Sequence, residues 1–498
     1  MEILIRTDAS EQIGSGHVMR CLSLANELRQ KARVSFICQE LPGNMCDYIE
    51  QQGYPVHSNA ILAAENKLID WLIVDHYSID AQWETTMRPY VRKIMVIDDM
   101  ANRKHDCDLL LDQNLYVDME SRYHDLVPQH CKQLLGPKYA LLRPEFLSAR
   151  QTLRKRDGSI KRILIFLGGS DPTNETTKAL DAIKLLNYPD IAVDVVVGAS
   201  NPHKEQIKQL CASLPNSSYY CQVSNMAELM VKADLAIGAG GSTNWERCCL
   251  GLPSLVITIA ENQEELTQTL HEQTYLCWLG TKEKVSAETI WQNLSDILNE
   301  PERVLSFIER GKQLVDGNGT KRVSSIIEET HISEEYRLRK ATAEDLLTYY
   351  HWANDEAVRK NSFSPEPIDL ETHKCWFQQK LNNPDTLLYI LEKNENPVGQ
   401  IRFDVEEKIA HIDYSIDSKF RRLGLGKQIL QLGIKKKLLD ESREVYFQAV
   451  VKTENFVSNQ IFQKIGFNKV AAKQTNKQSK NPATTTYQLK LSPINKAG

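Results

Sequence analysis

A chain of 498 residues is too long for a single hydrophobic core and implies two to four domains. Its 42% hydrophobic and 25% charged composition is ordinary for a soluble globular protein. The formal net charge of −5 argues against nucleic acid or an anionic membrane as the main partner. No run approaches the ~20 apolar residues of a membrane span, and Arg6 and Asp8 fall too early for a secretory leader. The eleven cysteines form no Cys-x-x-Cys pair and are expected as reduced, mostly buried thiols of a cytoplasmic protein.

The first apolar strand, Ile3–Arg6, breaks into Ile13-Gly14-Ser15-Gly16-His17 and then opens a helix from Val18 to about Gln30. Glycines let the backbone approach a ligand, and a helix start is electropositive. The same turn delivers the imidazole of His17. Strands Val34–Cys38, Trp71–Val74, Ile94–Ile97 and Leu109–Leu111 alternate with helical patterns, which predicts a parallel sheet covered on both faces. Leu142–Phe146 and the charged run Arg150–Arg162 read as a linker. The pattern then restarts. Ile163–Leu167 runs into Gly168-Gly169-Ser170-Asp171, and strands Val193–Val197, Leu235–Ile237 and Ser254–Ile259 follow. Two tandem halves of this kind predict Rossmann-like domains facing a cleft. A helical stretch, Pro301–Glu329, closes the second.

The third block is of a different type. A strand near Tyr336–Arg339 precedes helices Ala343–Asn354 and Leu370–Lys380, then strands Leu387–Glu392, Pro397–Val405 and Ala410–Ile416. A glycine turn, the helix Leu425–Leu439, strand Val445–Val451, a short helix and a last strand, Thr485–Leu491, complete an α+β pattern. Residues 472–482 are polar and lysine-rich and are expected as an exposed hairpin, not a nucleic-acid arm. The expected domains are 1–150, 151–332 and 333–498.

After strand Leu235–Ile237 comes Gly238-Ala239-Gly240-Gly241-Ser242-Thr243-Asn244-Trp245-Glu246. Backbone N–H groups and hydroxyls of Gly240, Gly241, Ser242 and Thr243 suit a diphosphate, and Glu246 is placed to accept from ribose hydroxyls. Leu250-Gly251-Leu252-Pro253-Ser254 and Glu261-Asn262-Gln263 follow. This constellation resembles the nucleotide-sugar-binding domain of GT-B enzymes. The first block narrows the resemblance. Arg6-Thr7-Asp8, Gly14 to Leu22, Val74-Asp75-His76-Tyr77, Ile97 to Ala101, Leu111 to Asn114 and Phe166 to Pro172 are similar to the UDP-2,4-diacetamido-2,4,6-trideoxy-β-L-altropyranose hydrolases of pseudaminic acid biosynthesis. These motifs keep their order across roughly 330 residues.

The resemblance implies a GT-B-like pair of Rossmann-type domains in which water attacks the anomeric carbon of a UDP-sugar with inversion and without a metal. His17 is then the general base. Gly14, Gly16, Arg20, Asp75, His76, Tyr77, Gly168, Gly169, Ser170, Gly240, Gly241, Ser242, Thr243, Glu246, Asn262 and Gln263 are the expected substrate-binding residues. Asp98, Asp99 and Asp112 invite a metal reading but lie at separate strand ends, and are expected as sugar-binding or orienting groups.

In the third block Arg421-Arg422-Leu423-Gly424-Leu425-Gly426-Lys427 offers consecutive N–H groups suited to a pyrophosphate. With Asn455 to Phe467 it resembles motifs A and B of the GNAT N-acetyltransferases, which implies acetyl-CoA held by Ile416, Arg421 to Lys427, Asn455 and Ser458. The usual motif-B tyrosine is Phe462 here, which cannot donate a proton; His411 and Asp413 are candidates for a proton relay. A bifunctional enzyme of one pathway is the expectation. Its rivals are a GT-B glycosyltransferase with an appended acetyltransferase and a non-catalytic nucleotide-sugar sensor.

Overall fold

The structure is a computed structural model that describes residues 1–57, 68–439, 444–470 and 483–491. The predicted hairpin 472–482 lies outside them. The chain divides into two compact units, Met1–Ile327 and Glu328–Gly498.

The first unit holds two sheets. One is built from β1 (Glu2–Thr7), β2 (Arg33–Ile37), β3 (Val56–His57), β4 (Ile69–Asp75), β5 (Val91–Ile97), β6 (Leu109–Asp112) and β7 (Lys132–Leu135), in the order 3-2-1-4-5-6-7. Every pairing is parallel. Alternate residues serve opposite faces, as the pleat requires. Ile3, Ile5, Trp71 and Ile73 enter one core, and Leu4, Leu72, Val74 and Val96 the other. The second sheet comprises β8 (Arg162–Phe166), β9 (Ala192–Val197), β10 (Ser217–Cys221), β11 (Leu235–Ala239), β12 (Ser254–Thr258) and β13 (Cys277–Thr281), in the order 10-9-8-11-12-13. Its strands are also all parallel. Its two faces separate in the same way: Ile163, Ile165, Ile237 and Ile257 against Leu164, Ala236 and Val256.

Both orders are those of the doubly wound Rossmann fold, in which strand order reverses beside the first strand. The reversal lies between β1 and β4 in one sheet and between β8 and β11 in the other. At that point the carboxyl ends of the strands leave a crevice where ligands bind. The helix Gly319–Glu335 carries Val323 and Ile327 into the core of the first sheet.

The run 150–162, expected as a linker, is packed against the second sheet's helices. Arg156 is 6% exposed, and its three nitrogens donate to the carbonyls of Met230, Val231, Ala233, Leu250 and Gly251 at 2.7 to 3.5 Å. Arg150 donates to Lys312, Cys249 and Val315 carbonyls. These guanidiniums satisfy carbonyls that helices leave unpaired at their C-terminal ends, where a cation also complements the dipole.

The second unit is a seven-stranded sheet of β14 (Tyr336–Lys340), β15 (Thr386–Lys393), β16 (Asn396–Glu406), β17 (Ile409–Ile416), β18 (Val445–Lys452), β19 (Asn468–Val470) and β20 (Thr484–Leu491), ordered 14-15-16-17-18-20-19. All pairings are antiparallel except β17 with β18. That parallel pairing covers only Ile409 to His411 against Tyr446 to Gln448. Beyond His411 the two strands no longer pair, and among the described residues Ile412 to Ile416 have no partner strand on that side.

Candidate active site

The predicted motifs converge on the two strand-order reversals. Gly14 and Gly16 follow β1, Asp75 to Tyr77 end β4, Gly168 to Ser170 follow β8, and Gly240 to Thr243 follow β11. A cleft open to solvent is lined from one side by Gly16, Arg20 and Gln113 and from the other by Ser242, Trp245 and Glu246, with Arg143 between. Bonds that cross the cleft within this unit include Asn262 Nδ2 to the Tyr77 hydroxyl at 3.3 Å, Trp245 Nε1 to Asn114 Oδ1 at 3.2 Å, and Arg122 to Glu265 at 3.1 Å.

The helix Gly16–Leu28 places His17 and Arg20 one turn apart, so both reach Asp75 at the end of β4. His17 Nδ1 is 2.5 Å from Asp75 Oδ1. Arg20 grips the same carboxylate bidentately, Nε to Oδ2 and Nη2 to Oδ1, both at 2.6 Å. Its Nη1 donates to Asp99 at 3.2 Å. Asp75 is 1% exposed. Burial works to raise its pKa, but Arg20 and His17 hold it well below the usual carboxylate range. An ionised Asp75 accepts the Nδ1 proton of His17 and leaves Nε2 as a proton acceptor. Tyr77 packs edge-on against the imidazole at 4.5 Å between centroids.

The neighbouring polar residues are committed differently. His76 Nδ1 accepts from the Ser78 N–H at 3.0 Å, so its Nε2 carries the proton and donates to Asp8 at 3.1 Å. Asp8 is also gripped by Arg6. Both His76 nitrogens therefore hold the turn, although the sequence placed this residue against the sugar. Asp98 accepts from the Met100 and Ala101 N–H groups and pairs with Arg103 at 2.8 Å. Asp112 accepts from the Asn114 N–H and the Tyr123 hydroxyl, and burial pushes it up to about 7. Each is 1% exposed. Asp98 and Asp112 are thus internal groups, and of the three aspartates Asp99 is the one that joins the His17 cluster. Among the described residues no group of His, Cys, Asp and Glu could hold a metal ion.

The glycines fall into two kinds. A Cβ on Gly16 or Gly169 would meet nothing within 4 Å, and on Gly241 only Gln263 Nε2 at 3.8 Å. These leave room for a ligand to approach. Gly14 and Gly168 have positive φ, +78° and +96°, and serve the turns themselves. Gly240 is a packing glycine, since its Cβ would fall 2.5 Å from Thr267 Oγ1. Ser242 is exposed, and Ser170 and Thr243 are half-buried. Gln263 Oε1 accepts from the Ile259 N–H at 3.1 Å and fixes the turn after β12. Glu246 receives Arg143 Nη2 at 3.3 Å. Burial raises the Glu246 pKa, and Arg143 opposes that shift. Arg143 lies in a stretch that the sequence presented as a connector, and no local motif marks it.

In the second unit Gly424 takes φ +79° in an exposed loop, with open space where a Cβ would stand. Arg422, Leu423 and Lys427 are exposed, Gly426 is half-buried and Leu425 is buried. Arg421 is committed to shaping the loop. Its Nε donates to the Ile416 carbonyl at 3.0 Å and its Nη2 to Asp355 at 2.5 Å. Asn455 caps the helix Phe456–Lys464 through the Ser458 N–H. Ser458 Oγ lies 3.2 Å from the Tyr414 hydroxyl. Phe462 is 2% exposed and stacks on Tyr487. His411 is half-exposed with Glu406 at 3.7 Å, and Asp413 is exposed.

Residues 163–327 match the glycosyltransferase family 28 C-terminal domain, and residues 336–468 match the acetyltransferase (GNAT) domain. With the three sheets these define the class: a GT-B-like pair of Rossmann-type folds joined to a GNAT acetyltransferase domain. The spore coat polysaccharide biosynthesis protein SpsG of Bacillus subtilis is 29% identical over 345 residues, 67% of this chain and 100% of that protein. An uncharacterized protein of Methanocaldococcus jannaschii is 28% identical over 412 residues, 79% of this chain and 81% of that protein. The UDP-2,4-diacetamido-2,4,6-trideoxy-β-L-altropyranose hydrolase of Campylobacter jejuni is 29% identical over 280 residues, 55% of this chain and 98% of that protein. The chain is a fusion of a homologue of those hydrolases with a C-terminal GNAT domain. Among the described residues no helix is long and apolar enough to cross a membrane.

Proposed function

We propose that the first unit hydrolyses UDP-2,4-diacetamido-2,4,6-trideoxy-β-L-altropyranose to the free sugar and UDP. Water attacks C1 from the face opposite the nucleotide, the new C1–O bond forms as the C1–O–phosphate bond breaks, and His17 Nε2 takes the proton. UDP departs as the anion, held by N–H groups around Gly241 and Gly169. Glu246 accepts from the ribose hydroxyls. Attack at an anomeric carbon passes through an oxocarbenium-like state, so a placed base and a stabilised leaving group are the two requirements. The observation that carries this reading is that Arg20, locked with His17 onto Asp75, lines the same cleft as Ser242 and Glu246. The name of the Campylobacter relative supports the substrate.

The second unit is assigned acetyl transfer to the 4-amine of the UDP-amino-sugar precursor, so that acetylation precedes hydrolysis. Acetyl-CoA supplies an activated acetyl thioester. The open space at Gly424, the exposed loop 422–424 and the unpaired edge of Ile412 to Ile416 fit such a donor. Residues 1–150 and 151–332 are assigned to hydrolysis and 333–498 to acetylation, in a cytoplasmic enzyme.

The test is UDP release from the diacetamido sugar by the purified full chain, with the anomer of the product followed by NMR. Inverted free sugar formed after EDTA treatment is the expected result, with kcat falling ~10²–10⁴-fold in His17→Ala while UDP still binds. Release that requires a second sugar identifies a glycosyltransferase and overturns hydrolysis. Binding without release identifies a sensor.

A further inference from the structure

Arg247 follows Glu246 on the helix Thr243–Cys249, yet it is 2% exposed. Its Nη2 donates to the Ala239 carbonyl at 2.8 Å and to Asn244 Oδ1. Its Nε has no partner. Its Nη1 occupies the space left by the missing side chain of Gly238, where a Cβ would fall 2.2 Å away. The guanidinium is therefore seated directly behind the loop that runs from Gly238 to Asn244. Among the described residues no carboxylate is ion-paired with it. Glu246, its neighbour in sequence, is paired with Arg143.

Arg156 shows what a purely structural buried arginine looks like in this fold, since it donates from all three nitrogens to helix carbonyls. Arg247 is under-satisfied by comparison. A buried charge without a partner is costly, and burial lowers this one only to about 10, so it stays charged at neutral pH. The loop in front of it reaches the cleft at Ser242.

We propose that Arg247 is a positioning residue that supplies the buried counter-charge of a diphosphate subsite, acting through the Gly238–Asn244 loop. This rests on the reading of the cleft as a UDP-sugar site. The polyanion of the ligand supplies, across the loop, the opposite charge that this guanidinium lacks in the free protein, and Gly238 is glycine to admit the guanidinium.

The test compares binding of UDP and of uridine to the full chain by calorimetry, because the two ligands share the base and ribose and differ in charge. In Arg247→Gln, UDP affinity is expected to fall about tenfold to a hundredfold while uridine affinity changes less than about twofold. Arg247→Lys, which keeps the charge and loses the fork of hydrogen bonds, is expected to retain the preference for UDP. Equal weakening of both ligands makes Arg247 a structural support of the loop and overturns the proposal, as does no change in either. If Arg247→Gln does not fold, the lysine variant decides: loss of its UDP preference overturns the proposal. A wild-type chain that binds neither ligand overturns the cleft reading itself. A chain that binds UDP no better than uridine overturns the role of Arg247 alone.

Discussion

His17 and Asp75 meet at 2.5 Å, and Arg20 grips the same carboxylate through two bonds of 2.6 Å. One buried anion thus orients an imidazole and neutralises a guanidinium. The arrangement sets the tautomer of His17, because only an Nδ1–H can donate to an ionised Asp75. Arg20 in turn keeps Asp75 ionised, so the imidazole keeps its partner through any ordinary pH.

Asp75→Asn separates orientation from charge. An amide can donate to Nδ1 and so place the proton on Nε2, where it blocks base catalysis. The expected result is a kcat for UDP release lower by ~10²–10⁴-fold, with UDP affinity changed little. The buried Arg20 also loses the closer of its two carboxylate partners and keeps only Asp99 at 3.2 Å, and breaking a buried pair typically costs up to about 3–5 kcal/mol. Asp75 has a depressed pKa in the folded state, so the stability it contributes is present at neutral pH and lost only in strong acid. A thermal melt at pH 7 should therefore show a clear drop in Tm. An unchanged kcat in folded protein would remove the His17–Asp75 pair from the reaction.

Arg143 and Glu246 form a second pair with a pH signature. Burial raises Glu246 and Arg143 at 3.3 Å opposes it. An ionised Glu246 is the better acceptor for ribose hydroxyls, so UDP affinity should rise with pH as this group loses its proton. In Arg143→Met the opposing charge is gone, and the midpoint of that rise should move to higher pH. Calorimetric titration of UDP from pH 5 to pH 8 in both proteins measures the displacement. A parallel loss of affinity at every pH would mean that Arg143 acts on the ligand and not through Glu246.

The interior strands and the glycine turns were legible in the sequence because their signals are local. The strands that were missed are β3, β7, β10, β13 and β19, and each is an edge strand. An edge strand is covered less completely, so several read as mixed: Lys132–Leu135 and Ser217–Cys221 carry no long apolar run, whereas β13 lies in the apolar run 275–279 and its local pattern does not account for the miss. The site was legible as separate motifs and not as a junction. Gly-Ser-Gly-His and Asp-His-Tyr both stood out, but the bond that joins His17 to Asp75 spans 58 positions. Nothing local distinguishes Asp75, which holds His17, from His76, which holds its own turn. Arg156 lies in a run that reads as a linker and is buried against carbonyls, because only the tertiary fold brings the ends of two helices to it.

The second unit allows the two activities to be separated by one substitution. Gly424 and Gly426 both lie in the loop that precedes the helix Leu425–Leu439 or at its start, but they differ as probes. A Cβ at Gly426 would fall 2.9 Å from Ile461 Cδ1, so substitution there disturbs the domain's own packing. At Gly424 the space is open and the constraint is its φ of +79°, which costs a branched residue about 1–3 kcal/mol of local strain. Gly424→Val in the full chain should therefore leave a folded protein, seen as an unchanged circular dichroism spectrum. Its acetyl-CoA affinity should fall by about tenfold or more, because the loop shifts and a side chain stands where the pyrophosphate approaches. UDP release should be unaffected, since the first unit has its own cores and sites without shared partners behave independently. Assaying both activities in this one variant is the measurement. Acetyl-CoA binding that survives would place the donor elsewhere than the 421–427 loop. Loss of hydrolysis together with acetyl transfer, in protein that remains folded, would show that the two units are energetically coupled.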